Sequence, residues 1–116
     1  MDGLVVNVLS NAHQLKESFS PEVLAQLNGQ DVRIAKLEGE FIWHLHEDQD
    51  EMFLVVDGEL DIHFRDKVLS LKQWDSVVVP RGVEHKPVAK DIALVLLFEP
   101  SETINTGNVI NELTKG

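Results

Sequence analysis

From Asp31 onward the chain breaks into short runs of branched or alternating apolar residues, each closed by turn residues, and this pattern restricts the fold more than any other feature. The runs span 32–37, 41–46, 52–56, 59–64, 68–71, 76–79, 85–88 and 92–98. None is long enough for a helix of ordinary length, and several repeat with a period of two, so strands are expected. Asp57-Gly58 is a strong hairpin signal, because a tight primed turn needs positive φ and this pair tolerates it. Arg65-Asp66-Lys67 and Pro80-Arg81-Gly82 mark further reversals. Short strands joined by turns imply an antiparallel sandwich or barrel rather than βαβ units.

The segment before Asp31 reads differently. Residues 4–9 suit a short first strand, and Ser10 or Asn11 can cap a helical turn running toward Lys16. A second helix is expected over 20–29, with Ser20 as N-cap, Pro21 in the first turn, Val23, Leu24 and Leu27 on one face, and Gly29 as the stop. The tail after Pro100 is polar and then weakly amphipathic, suited to folding back over the barrel or to fraying. With 116 residues the expectation is one domain: residues 1–30 as an N-terminal strand and helix, 31–100 as barrel core, 101–116 as tail.

Composition removes several classes of function. There is no cysteine, so disulfides, thiolate metal sites and cysteine nucleophiles are excluded, and any metal must use nitrogen and oxygen ligands. Twenty acidic residues against ten basic ones give a net charge of −10, which repels phosphate backbones and anionic membranes. Neither nucleic acid nor a membrane is expected as a partner. The first residues lack a basic, then apolar, leader pattern, and a cytoplasmic location is expected.

The chemistry concentrates in Trp43-His44-Leu45-His46-Glu47-Asp48-Gln49-Asp50-Glu51. His44 and His46 lie two apart in an expected strand, so both imidazoles leave the same face. Glu51 shares parity with Phe53 and Val55. If that parity faces the interior, a carboxylate points into an apolar lumen, where a divalent cation is one good partner for it. A third histidine, His85, follows the Pro80-Arg81-Gly82 turn. Spacing alone leaves a metal site and a set of ordinary satisfied histidines both open. His13 and His63 read as surface residues. The run from Glu47 to Asp50 resembles a hydrated loop, and no P-loop, His-Glu-x-x-His pair or calcium loop is present.

These residues resemble the motifs of the cupin superfamily. Its first motif is a glycine, His-x-His, a glutamate and a second glycine, matched by Gly39, His44, His46, Glu51 and Gly58. Its second is a glycine, Pro-x-Gly, a histidine and an asparagine, of which Pro80, Gly82 and His85 match; Trp74 stands at the opening glycine and Ala89 at the asparagine. More narrowly, the chain is similar to small single-domain cupins labelled mannose-6-phosphate isomerase-like. The resemblance implies a double-stranded β-helix (jelly-roll) barrel and one divalent ion (Fe, Mn, Ni or Zn) on His44, His46, Glu51 and His85. It also implies a homodimer and a small-molecule ligand. A metal-dependent oxygenase or isomerase is one implied activity, and a non-catalytic binding or sensing module is the other. Phe53, Val55, Val77 and Val79 are expected to line the barrel, with Trp43 or Trp74 near its mouth. His63 and Glu84 are the nearest acid–base candidates beyond the ligands, and Arg81 or Lys86 could meet an anionic substrate.

Overall fold

The computed structural model describes residues 3–109 as one short helix, α1 (Val8–His13), and seven strands. The strands are β1 (Glu22–Leu27), β2 (Gln30–Glu40), β3 (Glu51–Asp57), β4 (Leu60–His63), β5 (Val68–Leu71), β6 (Ser76–Val79) and β7 (Lys86–Pro100). All named strand pairs are antiparallel. One sheet path runs β1-β2-β7-β3-β6, and β4 pairs with both β5 and β7.

Strand β7 joins the two parts of the barrel. Its first residues, Lys86 to Val88, pair with β4, and its second half pairs with β2 on one edge and β3 on the other. Register shifts at Leu37/Gly39 and at Val55/Asp57 bend the sheet there, which lets a single strand turn the corner. Two separate strands are expected over 85–88 and 92–98; they are instead one strand, in which Ala89 still pairs with Gly39 and residues 90–92 carry the register shift. The interior holds Ala35, Leu37, Phe53, Val55, Leu60, Ile62, Leu71, Val79, Ala89, Ala93, Val95 and Leu97. Phe53, Val55 and Val79 are thus barrel core, and Val77 packs half-buried against it.

The expected helix over 20–29 is absent. These residues form a β1/β2 hairpin, with Asn28 at φ 51° and Gly29 at φ 75°. Both residues of the turn are left-handed, as a primed two-residue hairpin requires, and Asn-Gly is the pair that adopts it most readily. Pairing with β2 satisfies the backbone of β1 as a helix would. Tertiary pairing therefore overrides a weak cap-and-stop signal. The expected strand over 4–9 is also absent: residues 4–7 have no ladder pairing, and helix α1 begins at Val8. Its N-cap is Asn7, whose side chain accepts the Ser10 N–H at 2.8 Å. The helix lies on the outer face of the sheet, where Ala12, Leu24, Ile34, Val56 and Leu94 form a second apolar cluster.

The strand expected over 41–46 is not formed: its only bridge is His44 with His85, and the neighbouring backbone bonds Pro87 and Gly82 instead. The tail does fold back as far as residue 109, with Thr103, Asn105 and Thr106 buried; its weakly amphipathic end lies outside the described residues. Among those residues no helix is long and apolar enough to cross a membrane.

Candidate metal centre

Four side chains from three parts of the chain converge at one end of the barrel. His44 and His46 come from the bridge segment, Glu51 opens β3, and His85 immediately precedes β7. One potential ligand atom from each lies within 4.8 Å of the other three, and all four residues are buried. The spacing argument therefore places His44 and His46 together, and the inward parity of Glu51 is correct: Glu51, Phe53 and Val55 are buried along β3. His85 is joined to His44 by two backbone hydrogen bonds of 2.9 and 3.0 Å, which bring the second motif against the first.

The donor atoms are oriented for a cation. The Nδ1 atoms of His44 and His85 each sit 2.9 Å from a backbone carbonyl, of Ile42 and Val83 respectively. A protonated Nδ1 donating there leaves Nε2 as the lone-pair nitrogen turned to the cluster. His46 Nε2 and His85 Nε2 lie 3.4 and 3.6 Å from Glu51 Oε1. These three atoms are fully buried yet have no hydrogen-bond partner. Orphaned buried polar atoms are costly, and a shared divalent ion would satisfy all three at once.

Electrostatics favour the ligand protonation states. Burial, reinforced by the neighbouring His85, lowers the His44 pKa to about 4, so its imidazole is neutral near pH 7. Burial tends to raise the Glu51 pKa, but the close polar groups of Glu99, His46 and His85 outweigh it and hold the carboxyl well below its ordinary value. Its neighbour takes the opposite course. Burial first, and then the adjacent Glu51, push Glu99 up to about 10. The two carboxyls are thus driven in opposite directions, Glu99 toward its neutral form and Glu51 toward its ionised one.

Glu99 belongs to a buried polar network that the sequence reading missed. Arg33 donates to Asp31 Oδ2 at 3.0 Å, to Glu99 Oε1 at 3.1 Å and to the carbonyls of Thr103 and Ser101 at 2.9 Å. The available signal was parity, since Glu99 continues the inward series Val95, Leu97 along β7. A narrow cleft with about 30 Å³ of free interior space reaches His44, Glu51 and Glu99. Its walls are mostly apolar, and Phe19 and Phe41 stack there with centroids 4.8 Å apart.

The other candidates fall outside the cluster. Glu84 accepts from Arg65 at 2.7 Å, and Arg65 lies 3.9 Å above the Trp43 ring. His63 pairs across the ladder with Val68 and Lys86. Arg81 binds Asp50, and Lys86 binds Glu40 at 2.5 Å. Trp74 is 65% exposed, and its N–H bonds Val55 O, at the far end of β3 from Glu51. It keeps the left-handed backbone, φ 71°, that the motif's glycine would take.

The family model described as the cupin domain matches residues 30–98. The chain belongs to the cupin family. The Bacillus subtilis (strain 168) protein YdbB, itself named as uncharacterized, is 36% identical over 101 residues, covering 84% of this chain and 89% of that one. A cupin-2 domain protein from Shewanella frigidimarina NCIMB 400 shares 41% identity at a TM-score of 0.81, over 83% of this cupin and 94% of its own chain. Hydroquinone 1,2-dioxygenase from Sphingomonas sp. TTNP3, solved with 4-hydroxybenzoate bound, superposes at a TM-score of 0.70 with 16% identity. It covers 84% of this chain and 74% of its own, and its likeness is one of fold.

Proposed function

We propose that this cupin holds one divalent transition metal on His44, His46, Glu51 and His85, and that it binds and transforms a small organic metabolite beside that metal. The observation that carries the reading is the set of three buried, unpartnered donor atoms facing one another, on His46, His85 and Glu51. His44, His46, His85 and Glu51 would hold the ion through nitrogen and oxygen donors, and when bound it would supply Lewis-acid or redox chemistry. The chain's own residues do the rest. The cleft's apolar walls favour a small, largely apolar ligand and exclude bulk water, while Glu99 holds a proton beside Glu51. A metal-dependent oxygenase or isomerase is the reaction class that fits. A non-catalytic binding module is the second reading, favoured by one observation: both acid–base candidates from the sequence, His63 and Glu84, stand outside the cluster.

Metal analysis of purified protein tests the first step. The expected content is about one transition metal per chain, lost in His46→Ala while the β-rich circular dichroism spectrum is kept. Stoichiometric metal in that variant overturns the assignment. Substrate-dependent oxygen uptake by the iron-loaded protein then separates an oxygenase from the binding module.

The partner in this reading is a second copy. Across the outer face of the sheet, Ala25, Val32, Phe98, Met52 and Val78 pair in one uninterrupted apolar row. Val78 is 55% exposed, and the other four are half-buried. Strands apolar on both faces belong to sheets covered on both faces. On a chain of net charge −10, a charge-free row adds no like-charge contact of its own where a second copy meets it. Sedimentation velocity should show a dimer that Met52→Glu converts to a monomer; a monomeric wild type refutes it.

A further inference from the structure

The segment carrying two of the three cluster histidines is held in an unusual way. His44 is bridged to His85, and the His46 carbonyl accepts from Gly82 N–H at 2.8 Å. Leu45, between them, turns its backbone groups to the tail. Its N–H donates to Asn108 Oδ1 at 2.9 Å, and its carbonyl accepts from Asn108 N–H at 2.9 Å. One asparagine thus completes both hydrogen bonds of the residue between the two histidines, replacing a neighbouring strand.

Gly107 makes that approach possible. It sits at φ +57°, and a Cβ there would fall 2.1 Å from Leu45 O and 3.1 Å from His44 Cδ2. No side chain fits without moving the histidine segment. The tail is anchored before it reaches this point. Arg33 binds the carbonyls of Ser101 and Thr103, Asn105 donates to Phe19 O at 3.3 Å, and Thr106 is fully buried. The clasp is therefore fixed to the barrel at one end and to the histidine segment at the other.

We propose that Gly107 and Asn108 are positioning residues that set where His44 and His46 present Nε2, and thereby tune metal affinity and coordination. The proposal rests on the metal reading given above. Outer partners that orient ligands typically change metal affinity 10- to 100-fold when removed. Barrel stability does not depend on Asn108 to the same degree, because its side chain is exposed and bonds only an extended segment at the rim.

The test uses cobalt(II) as the probe, with affinity measured by competition against a chromophoric chelator and coordination read from the visible d–d bands. Asn108→Ala is expected to weaken cobalt binding about 10- to 100-fold and to alter those bands. Asn108→Asp, which keeps the Oδ acceptor for Leu45 N–H, should restore both, and Gly107→Ala should exceed Asn108→Ala. The thermal midpoint of metal-free Asn108→Ala should stay near wild type. Unchanged affinity and bands in Asn108→Ala overturn the proposal, including the case where only its thermal midpoint falls. If Gly107→Ala does not fold, the Asn108 pair still decides. Failure of the wild type to bind cobalt refutes the metal reading itself, an outcome distinct from failure of the clasp alone.

Discussion

Replacing Glu99 by glutamine keeps the size of a buried side chain and removes its capacity to ionise. In the native fold Glu99 is 1% exposed, and its pKa rises from an ordinary 4.5 to about 10, through burial first and the adjacent Glu51 second. The sign follows from linkage. A group with a raised folded pKa keeps its proton in the native state and releases it on unfolding once pH exceeds 4.5. Its contribution to stability is fully present below pH 4.5 and is lost as pH rises toward 10. At pH 7 the difference is 2.5 pH units above 4.5, and at about 1.4 kcal/mol per unit this amounts to about 3–4 kcal/mol. Glutamine escapes that loss, still accepts from Arg33, and still donates toward Glu51. Glu99→Gln should therefore gain on the wild type by up to about 1.4 kcal/mol for each pH unit above 4.5. The assay is urea unfolding of chelator-treated protein at pH 5, 6, 7 and 8. Any pH-independent cost of the amide displaces the difference curve without changing its slope. A stability difference that stays flat across the series would refute the reasoning, because Glu99 would then be ionised in the fold.

Two further substitutions probe the fold. Arg33→Ala removes one partner from Asp31, which keeps Gln26 and Ser101, and strips Glu99 Oε1 and two tail carbonyls, and should cost about 3–5 kcal/mol as measured by denaturant midpoint. A loss below about 1 kcal/mol would mean that the network is not structural. Trp74→Gly relieves a left-handed backbone at a residue 65% exposed, and should raise stability by about 1 kcal/mol in thermal melts. A destabilised variant would show that the indole packs better than its exposure suggests.

Local patterns made much of this protein legible. Period-two apolar runs with turn pairs between them determined an antiparallel β fold, because alternation is a property of consecutive residues. The same logic placed His44 and His46 on one face and sent Glu51 inward with Phe53 and Val55. Asn28-Gly29 was also present in the sequence as a hairpin pair, yet the capping signals of Ser20 and Pro21 pointed to a helix. Both are local preferences of similar size, and pairing along β2 chose between them.

Other features exist only after the chain has closed. His85 lies 34 residues beyond Glu51 (85 − 51 = 34), and its place in the cluster follows from the bridge to His44. The proton on Glu99 depends on meeting Glu51 in a water-poor interior, a circumstance with no local signature. Gly107 and Asn108 read as polar tail in the sequence, and only the fold brings them to Leu45. The sequence by itself pointed to the residues that could bind a metal and to a β fold around them, although only Glu51 lies in a strand. The tertiary structure decided which of them meet, which carboxyl keeps its proton, and what holds the histidines in place. Such long-range outcomes arise from burial and backbone pairing between segments far apart in the chain.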